Sequence, residues 1–128
     1  MPQRQNFSTG APWEAIVGYS RAVRVGTHIE VSGTVAADAH GPLHIGDAGA
    51  QTRYILKKIE NSLEALGAQM KDVVRTRIFV TDIGQWEAIG RAHGEFFGDI
   101  RPCTSMVEVS ALIAPEYLVE IEATAILM

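Results

Sequence analysis

The stretch from Leu118 to Leu127 alternates as a strand does, and it is apolar on both sides: Val119, Ile121, Ala123 and Ala125 fall on one face, Leu118 and Ile126 on the other. Such a strand needs cover above and below. Upstream, the chain offers two amphipathic helices, and two helices cover one face of a sheet. The economical cover for the other face is a second copy of the same sheet, so the pattern predicts a homo-oligomer. Composition points the same way. Of the 128 residues 47% are hydrophobic and 20% charged, below the usual charged share of roughly 25%, and small monomers rarely leave such a surplus in water.

The order of elements follows from hydrophobic period. After a polar arm ending near Pro12, Ser20 to Val25 alternates, Gly26-Thr27 suits a tight Gly-first turn, and His28 to Ser32 alternates again, which predicts a hairpin. A loop rich in Gly, Pro, Asp and His (37–46) leads to Asp47, a helix N-cap. Beyond it Ile55, Ile59, Ser62, Leu63 and Leu66 recur at helical spacing, and Gly67 supplies a left-handed terminus. Val73 to Val80 reads as a strand with Val74, Thr76, Ile78 and Val80 on one side and Arg75, Arg77 and Phe79 on the other. Asp82 and Gln85 are spaced as a capping box for a second helix. Its apolar stripe is Trp86, Ile89, His93, Phe96 and Phe97, and Gly98 ends it. Gly90 and Gly94 lie inside that helix, where each costs about 1 kcal/mol relative to Ala, so a close approach of its backbone to the sheet is expected. Strands at Thr104 to Ala111 and Leu118 to Leu127 complete an α+β fold of order ββαβαββ, a mixed sheet backed by two helices. It is a single domain spanning 1–128.

Eleven Lys+Arg against fifteen Asp+Glu give a net charge of −4 with no basic stripe, which argues against a nucleic-acid partner. No apolar run reaches the length of a signal segment or a membrane span, and the lone Cys103 cannot form an internal disulfide. The expected location is the cytoplasm, so the Asn6-Phe7-Ser8 sequon is idle.

Among chemistry-bearing residues, Glu120 and Glu122 stand out because alternation puts both on one side of a strand whose neighbours are apolar. Either the strand is an edge and both carboxylates are solvated, or one lines a pocket with its pKa set for general acid/base work. Gly41-Pro42 between His40 and His44 forbids the helix that would pair them on a metal. His93 reads as a satisfied structural histidine on an apolar face. Gly46 and Gly49 precede a helix N-terminus but lack the Gly-Lys-Ser/Thr of a phosphate loop. Cys103 has no base at motif spacing and reads as a semi-buried, inert thiol.

Several stretches, in order, resemble the reactive intermediate deaminase family (RidA, also called YjgF): Gly18-Tyr19-Ser20-Arg21-Ala22-Val23, Val31-Ser32-Gly33, Ala65-Leu66-Gly67-Ala68, Phe79-Val80-Thr81-Asp82, Phe96-Phe97, Arg101-Pro102 and Val119-Glu120-Ile121-Glu122-Ala123. The resemblance runs from about Gly18 to Ile126. It implies a chorismate-mutase-like fold and a homotrimer with clefts between subunits. It further implies hydrolysis of enamine/imine intermediates to a keto acid and ammonia without metal or cofactor. Carried over by position, Glu120 places the attacking water, and Tyr19, Ser32 and Gly33 shape the substrate site with Cys103 and Thr104.

One departure bears on the substrate. Where the family has Pro-Ala-Arg, this chain has Pro102-Cys103-Thr104, so the Arg that binds a substrate carboxylate is replaced by Thr104, which weighs against a 2-imino acid. In the second helix the family's usual Asn and frequent Tyr fall on Gly90 and His93. Arg77 or Arg101 could reach the same cleft from another direction, or each could sit in a surface or inter-subunit ion pair. The expected function is a small-molecule hydrolase or deaminase of the enamine/imine type. The alternative is a non-enzymatic small-molecule-binding or interaction protein on the same trimer scaffold.

Overall fold

In the computed structural model, which describes residues 3–128, one six-stranded sheet runs in the order β1-β2-β3-β8-β6-β7. Its strands are β1 (Arg4–Phe7), β2 (Ala22–Val25), β3 (His28–Thr34), β6 (Val73–Val80), β7 (Cys103–Glu108) and β8 (Val119–Ile126). All neighbours are antiparallel except β6 and β7, the parallel pair joined by helix α3 (Trp86–Phe97). Helix α2 (Ala48–Ala65) follows a two-residue pairing of β4 (Ala37–Asp38) with β5 (Gly41–Pro42). From β2 onward the expected order of ββαβαββ holds. No helix is long and apolar enough to cross a membrane among the described residues.

Two elements precede that order and replace the expected polar arm. β1 is almost wholly exposed; it is an edge strand, and its backbone pairing with β2 (Arg4 opposite Val25, Phe7 opposite Ala22) supplies what its polar side chains do not. Helix α1 (Pro12–Val17) is a turn and a half, started by Pro12, whose fixed φ suits the first helical position, and stopped at Gly18. Ile16 and Val17 are 80% and 71% exposed, so no amphipathic stripe announces this helix in the sequence.

The core lies between α2, α3 and one face of the sheet. Ile55, Leu56, Ile59 and Leu63 of α2 pack with Ile89 and Phe97 of α3 on Ile29, Val31, Ile78, Val80, Val119, Ile121, Ala123 and Ala125. The Asp47 carboxylate caps α2, accepting from Ala50 N at 3.0 Å, and Gly67 closes it at φ +85°. Buried Gln51 links α2 to the start of β8: its side-chain oxygen accepts from Leu118 N and its nitrogen donates to Glu116 O, both at 2.9 Å.

Several local expectations need correcting. A bulge in β6, where Val73 faces Ala125 and Arg75 faces Thr124, buries Val73 and turns Val74 out to 42% exposure. Asp82 caps a 3-10 turn (Ile83–Gln85) that precedes α3, and Trp86 is exposed rather than part of the apolar stripe. Gly94 has no neighbour within 4 Å of where a Cβ would stand and Gly90 only its own helix's Trp86, so neither marks a close approach to the sheet. β8 is an interior strand, which removes the edge-strand reading of Glu120 and Glu122. Its second face is more polar than Leu118 and Ile126 alone implied: Thr124 donates to Glu30 at 2.7 Å, and Arg77 pairs with Glu122 at 3.4 Å.

Candidate functional site

A second bulge, at the end of β3, shapes the site. Val31 faces Ala123 and Thr34 faces Ile121, so three steps along β3 match two along β8, and Ser32-Gly33 takes up the difference. Glu120 packs against this bulge. A Cβ at Gly33 would fall inside the Glu120 carboxylate, so glycine there is what lets the carboxyl seat itself on the β3 backbone.

Around that contact is a cavity of about 290 Å³, near the lower end for small-molecule sites. Glu120, Tyr19, Ser32 and Gly33 all line it, so four of the six residues singled out from the sequence converge. A shallower depression alongside shares Glu120 and Ile113. The Ser32 hydroxyl is already engaged, donating to Ser20 O at 2.7 Å, and so serves to hold the 18–21 segment in place. Burial pushes the Glu120 carboxyl above its ordinary value; Arg21 opposes this and Glu122 adds to it. A carboxyl shifted in that direction holds a proton more readily than an exposed glutamate, the property a general acid/base uses.

Three charged residues of the cavity were not singled out by sequence reasoning. Arg21 is 7% exposed and sits 5.6 Å from the Tyr19 ring centre; its Nη1 donates to Thr34 Oγ1 at 3.3 Å and its Nη2 to Gly33 O at 2.8 Å. Lys58 reaches in from α2, and its ammonium donates to Val35 O at 3.2 Å and Ala37 O at 3.1 Å. Burial and then the nearby Arg21 charge lower its pKa, with Asp38 and Glu14 opposing. Glu14 of α1 is buried, which alone would raise its carboxyl. Hydrogen bonds from Ser8 and Thr9, with the Arg21 charge, hold it below its ordinary value. The signal for Arg21 was in view, in the Tyr19-Ser20-Arg21 stretch; Lys58 lies outside the apolar stripe of α2, and nothing in the helical spacing marks it.

Cys103 and Thr104 stand apart from this cavity, on edge strand β7. Cys103 is exposed, contrary to the semi-buried thiol expected. Thr104 points toward the helices: its hydroxyl meets Thr76 Oγ1 at 2.5 Å, and Thr76 meets His93 Nε2 at 2.9 Å. His93 is buried against Phe97 with its pKa lowered by burial, a satisfied structural histidine as expected. Neither replacement candidate for the missing Arg joins the cavity. Arg77 is paired with Glu122 on the sheet face, and Arg101 (φ +55°) donates to Gly98 O at the end of α3. No cluster of three or more His, Cys, Asp or Glu of metal-binding size occurs among the described residues.

Comparison with known proteins bears on these features. A family model described as Endoribonuclease L-PSP matches residues 9–127. The 3-aminoacrylate deaminase RutC of Acinetobacter baylyi is 33% identical over 126 residues, covering 98% of this chain and 98% of that protein. The crystal structure of a YjgF-family member from Mycobacterium tuberculosis superimposes with a TM-score of 0.90 at 51% identity, over 98% of this chain and 100% of that one. A Rid-family protein of Yersinia pestis gives 0.85 at 33% identity, with 98% and 100% covered.

Proposed function

Given that the chain belongs to the Endoribonuclease L-PSP family, that of the YjgF and RidA proteins, we propose that it is a cofactor-free hydrolase of small enamine- or imine-type metabolites, with Glu120 as the group that positions and activates water. The observation that carries this reading is the Glu120 carboxyl seated on Gly33 inside the 290 Å³ cavity, its pKa raised by burial. The similarity to a 3-aminoacrylate deaminase supplies the reaction class. A net charge of −4 and the absence of a basic stripe weigh against a nucleic-acid substrate.

The proposed chemistry needs one proton shuttle. An enamine takes a proton on carbon and gives one up from nitrogen to become an imine. Glu120 as carboxylate accepts a proton from water while the water oxygen bonds to the imine carbon. The same group returns the proton to nitrogen, and the carbinolamine collapses to a carbonyl with loss of ammonia. A positioned group of this kind contributes about 10²–10⁴-fold.

Assembly belongs to the proposal. The sheet face opposite α2 and α3, with Glu30, Thr124, Glu122 and Arg77, has no helix over it, and the homotrimer inferred from the sequence would cover it. Cys103 and Thr104 on the β7 edge of one subunit would then border the Glu120 cavity of its neighbour. Light scattering on a sizing column tests the trimer, and a monomer would overturn it. The decisive experiment generates imines in situ and follows ammonia, comparing wild type with Glu120→Ala. A loss of about a hundredfold or more is expected. Equal rates would overturn the reading and favour the non-enzymatic binding protein, to which the loss of the Arg at Thr104 otherwise points.

A further inference from the structure

Arg21 and Lys58 are brought together at the cavity without counter-ions in contact. The ion pairs among the described residues lie elsewhere, at His28 with Glu30, Arg53 with Glu95, Lys57 with Glu60, Arg77 with Glu122 and Arg91 with Glu87. All of them lie on the exposed helix surfaces or the open sheet face, where such contacts contribute little. Among the described residues the two cations at the cavity make no ion pair, although Arg21 is buried and Lys58 half-buried. Burying a cation without pairing it is expensive unless something else supplies the charge. The two carboxylates that share the cavity form no salt bridge with either cation: Glu14 already accepts from Ser8 on one oxygen and Thr9 on the other, and Glu120 is seated on Gly33, although the Arg21 charge acts on both.

Both cations also keep unused donors. Arg21 has five N–H groups, of which Thr34 and Gly33 take one each, and its buried Nε has no partner. Lys58 has three, of which the Val35 and Ala37 carbonyls take two. Large apolar side chains line the cavity alongside these charges. There helix α1 contributes Trp13 and Val17, and the loop before β8 contributes Ile113; Val17 and Ile113 are 71% and 61% exposed, large apolar side chains left at the mouth of a cavity.

We infer that Arg21 and Lys58 are the anion-binding end of this cavity and α1 its apolar wall, so that its ligands are small carboxylates bearing a branched or aromatic group. The inference rests on the reading of this cavity as the reaction site. It assigns to Arg21 and Lys58 the anchoring charge that Thr104 cannot provide, and to α1, an element outside the expected fold order, the choice of side chain.

The test uses stable ligands without a C=N bond, so its result is independent of turnover: isovalerate, its neutral amide isovaleramide, and acetate, titrated into the full-length protein by calorimetry. Indole N–H resonances locate the binding, because Trp13 lines the cavity and exposed Trp86 serves as a control. Wild type is expected to bind isovalerate at least tenfold more tightly than either comparison ligand, with Trp13 shifting and Trp86 still. Lys58→Met is expected to bring isovalerate down to the level of isovaleramide, and Lys58→Arg, which keeps the charge and controls for folding, to restore it. Trp13→Ala is expected to erase most of the preference over acetate. Isovaleramide equal to isovalerate, acetate equal to isovalerate, a still Trp13 resonance or no binding at all would each overturn the inference. Failure of the hydrolase reading shows separately, as imine turnover indifferent to Glu120.

Discussion

Two regions of the sheet hold their polar side chains under opposite rules. At the central β3–β8 pair, Glu120, Arg21, Lys58 and Glu14 gather charge around an open cavity, and the two cations lack ion-pair partners. At the β6–β7 pair, buried His93 and Thr76 and exposed Thr104 form a chain of neutral groups hydrogen-bonded to one another. The first arrangement is incomplete without a ligand, and the second is complete as it stands. Burial also acts on the titratable member of each region in the direction that disfavours charge, raising Glu120 and lowering His93.

Substitution at Gly33 should break the comparison most sharply. Gly33→Ala places a methyl group where the Glu120 carboxylate now sits, and the far end of a glutamate can swing aside without disturbing the core. Imine hydrolysis should fall by about a hundredfold, the scale associated with a displacement of about 1 Å at a reacting group. The urea midpoint should stay near that of wild type. A large loss of stability with normal turnover would mean that the bulge is structural and the carboxyl is not.

The other region should respond in the reverse manner. His93→Ala removes a packed ring beside Phe97 and the partner of Thr76, so unfolding free energy should drop by about 2–4 kcal/mol. Isovalerate binding at the cavity should remain within about twofold of wild type. A loss of binding as great as the loss of stability would show the two regions to be coupled.

The smallest effect is a pair of opposing pH slopes. His93 has a folded-state pKa below its ordinary 6.5, so its contribution to stability is present above that value and is lost as pH falls. Glu120 has a folded-state pKa above its ordinary 4.5, so its contribution is present at low pH and is lost as pH rises. Urea midpoints between pH 7.5 and pH 5, values chosen to bracket roughly the ordinary histidine range, should fall less steeply in His93→Gln than in wild type. In Glu120→Gln they should fall more steeply. Identical slopes in all three proteins would contradict the burial of both groups.

Much of this was legible in the sequence because it repeats. Ile55, Ile59 and Leu63 at helical spacing and Val119, Ile121 and Ala123 at strand spacing each state their face several times, and Asp47 and Gly67 punctuate the ends of α2. The elements that escaped notice do not repeat. β1 is polar and held through its backbone, and α1 is too short to show a period. The β6 bulge reversed the side expected for Val74, because one extra residue in a strand turns its neighbours over without leaving a compositional mark.

By itself the sequence determined the element order from β2 to β8, the helix-facing core, the family, and Glu120 as the carboxyl to watch. These follow from side-chain periodicity and from motifs local to the chain. Tertiary structure alone decided that Glu120 rests on Gly33, that Arg21 and Lys58 meet beside it, and that Cys103 and Thr104 lie at the opposite edge. Those are relations between residues 87 and 37 positions apart, or on strands not adjacent in the chain. Contacts of that kind are set by bulges and by the path of the backbone between elements, which no local pattern of side chains records.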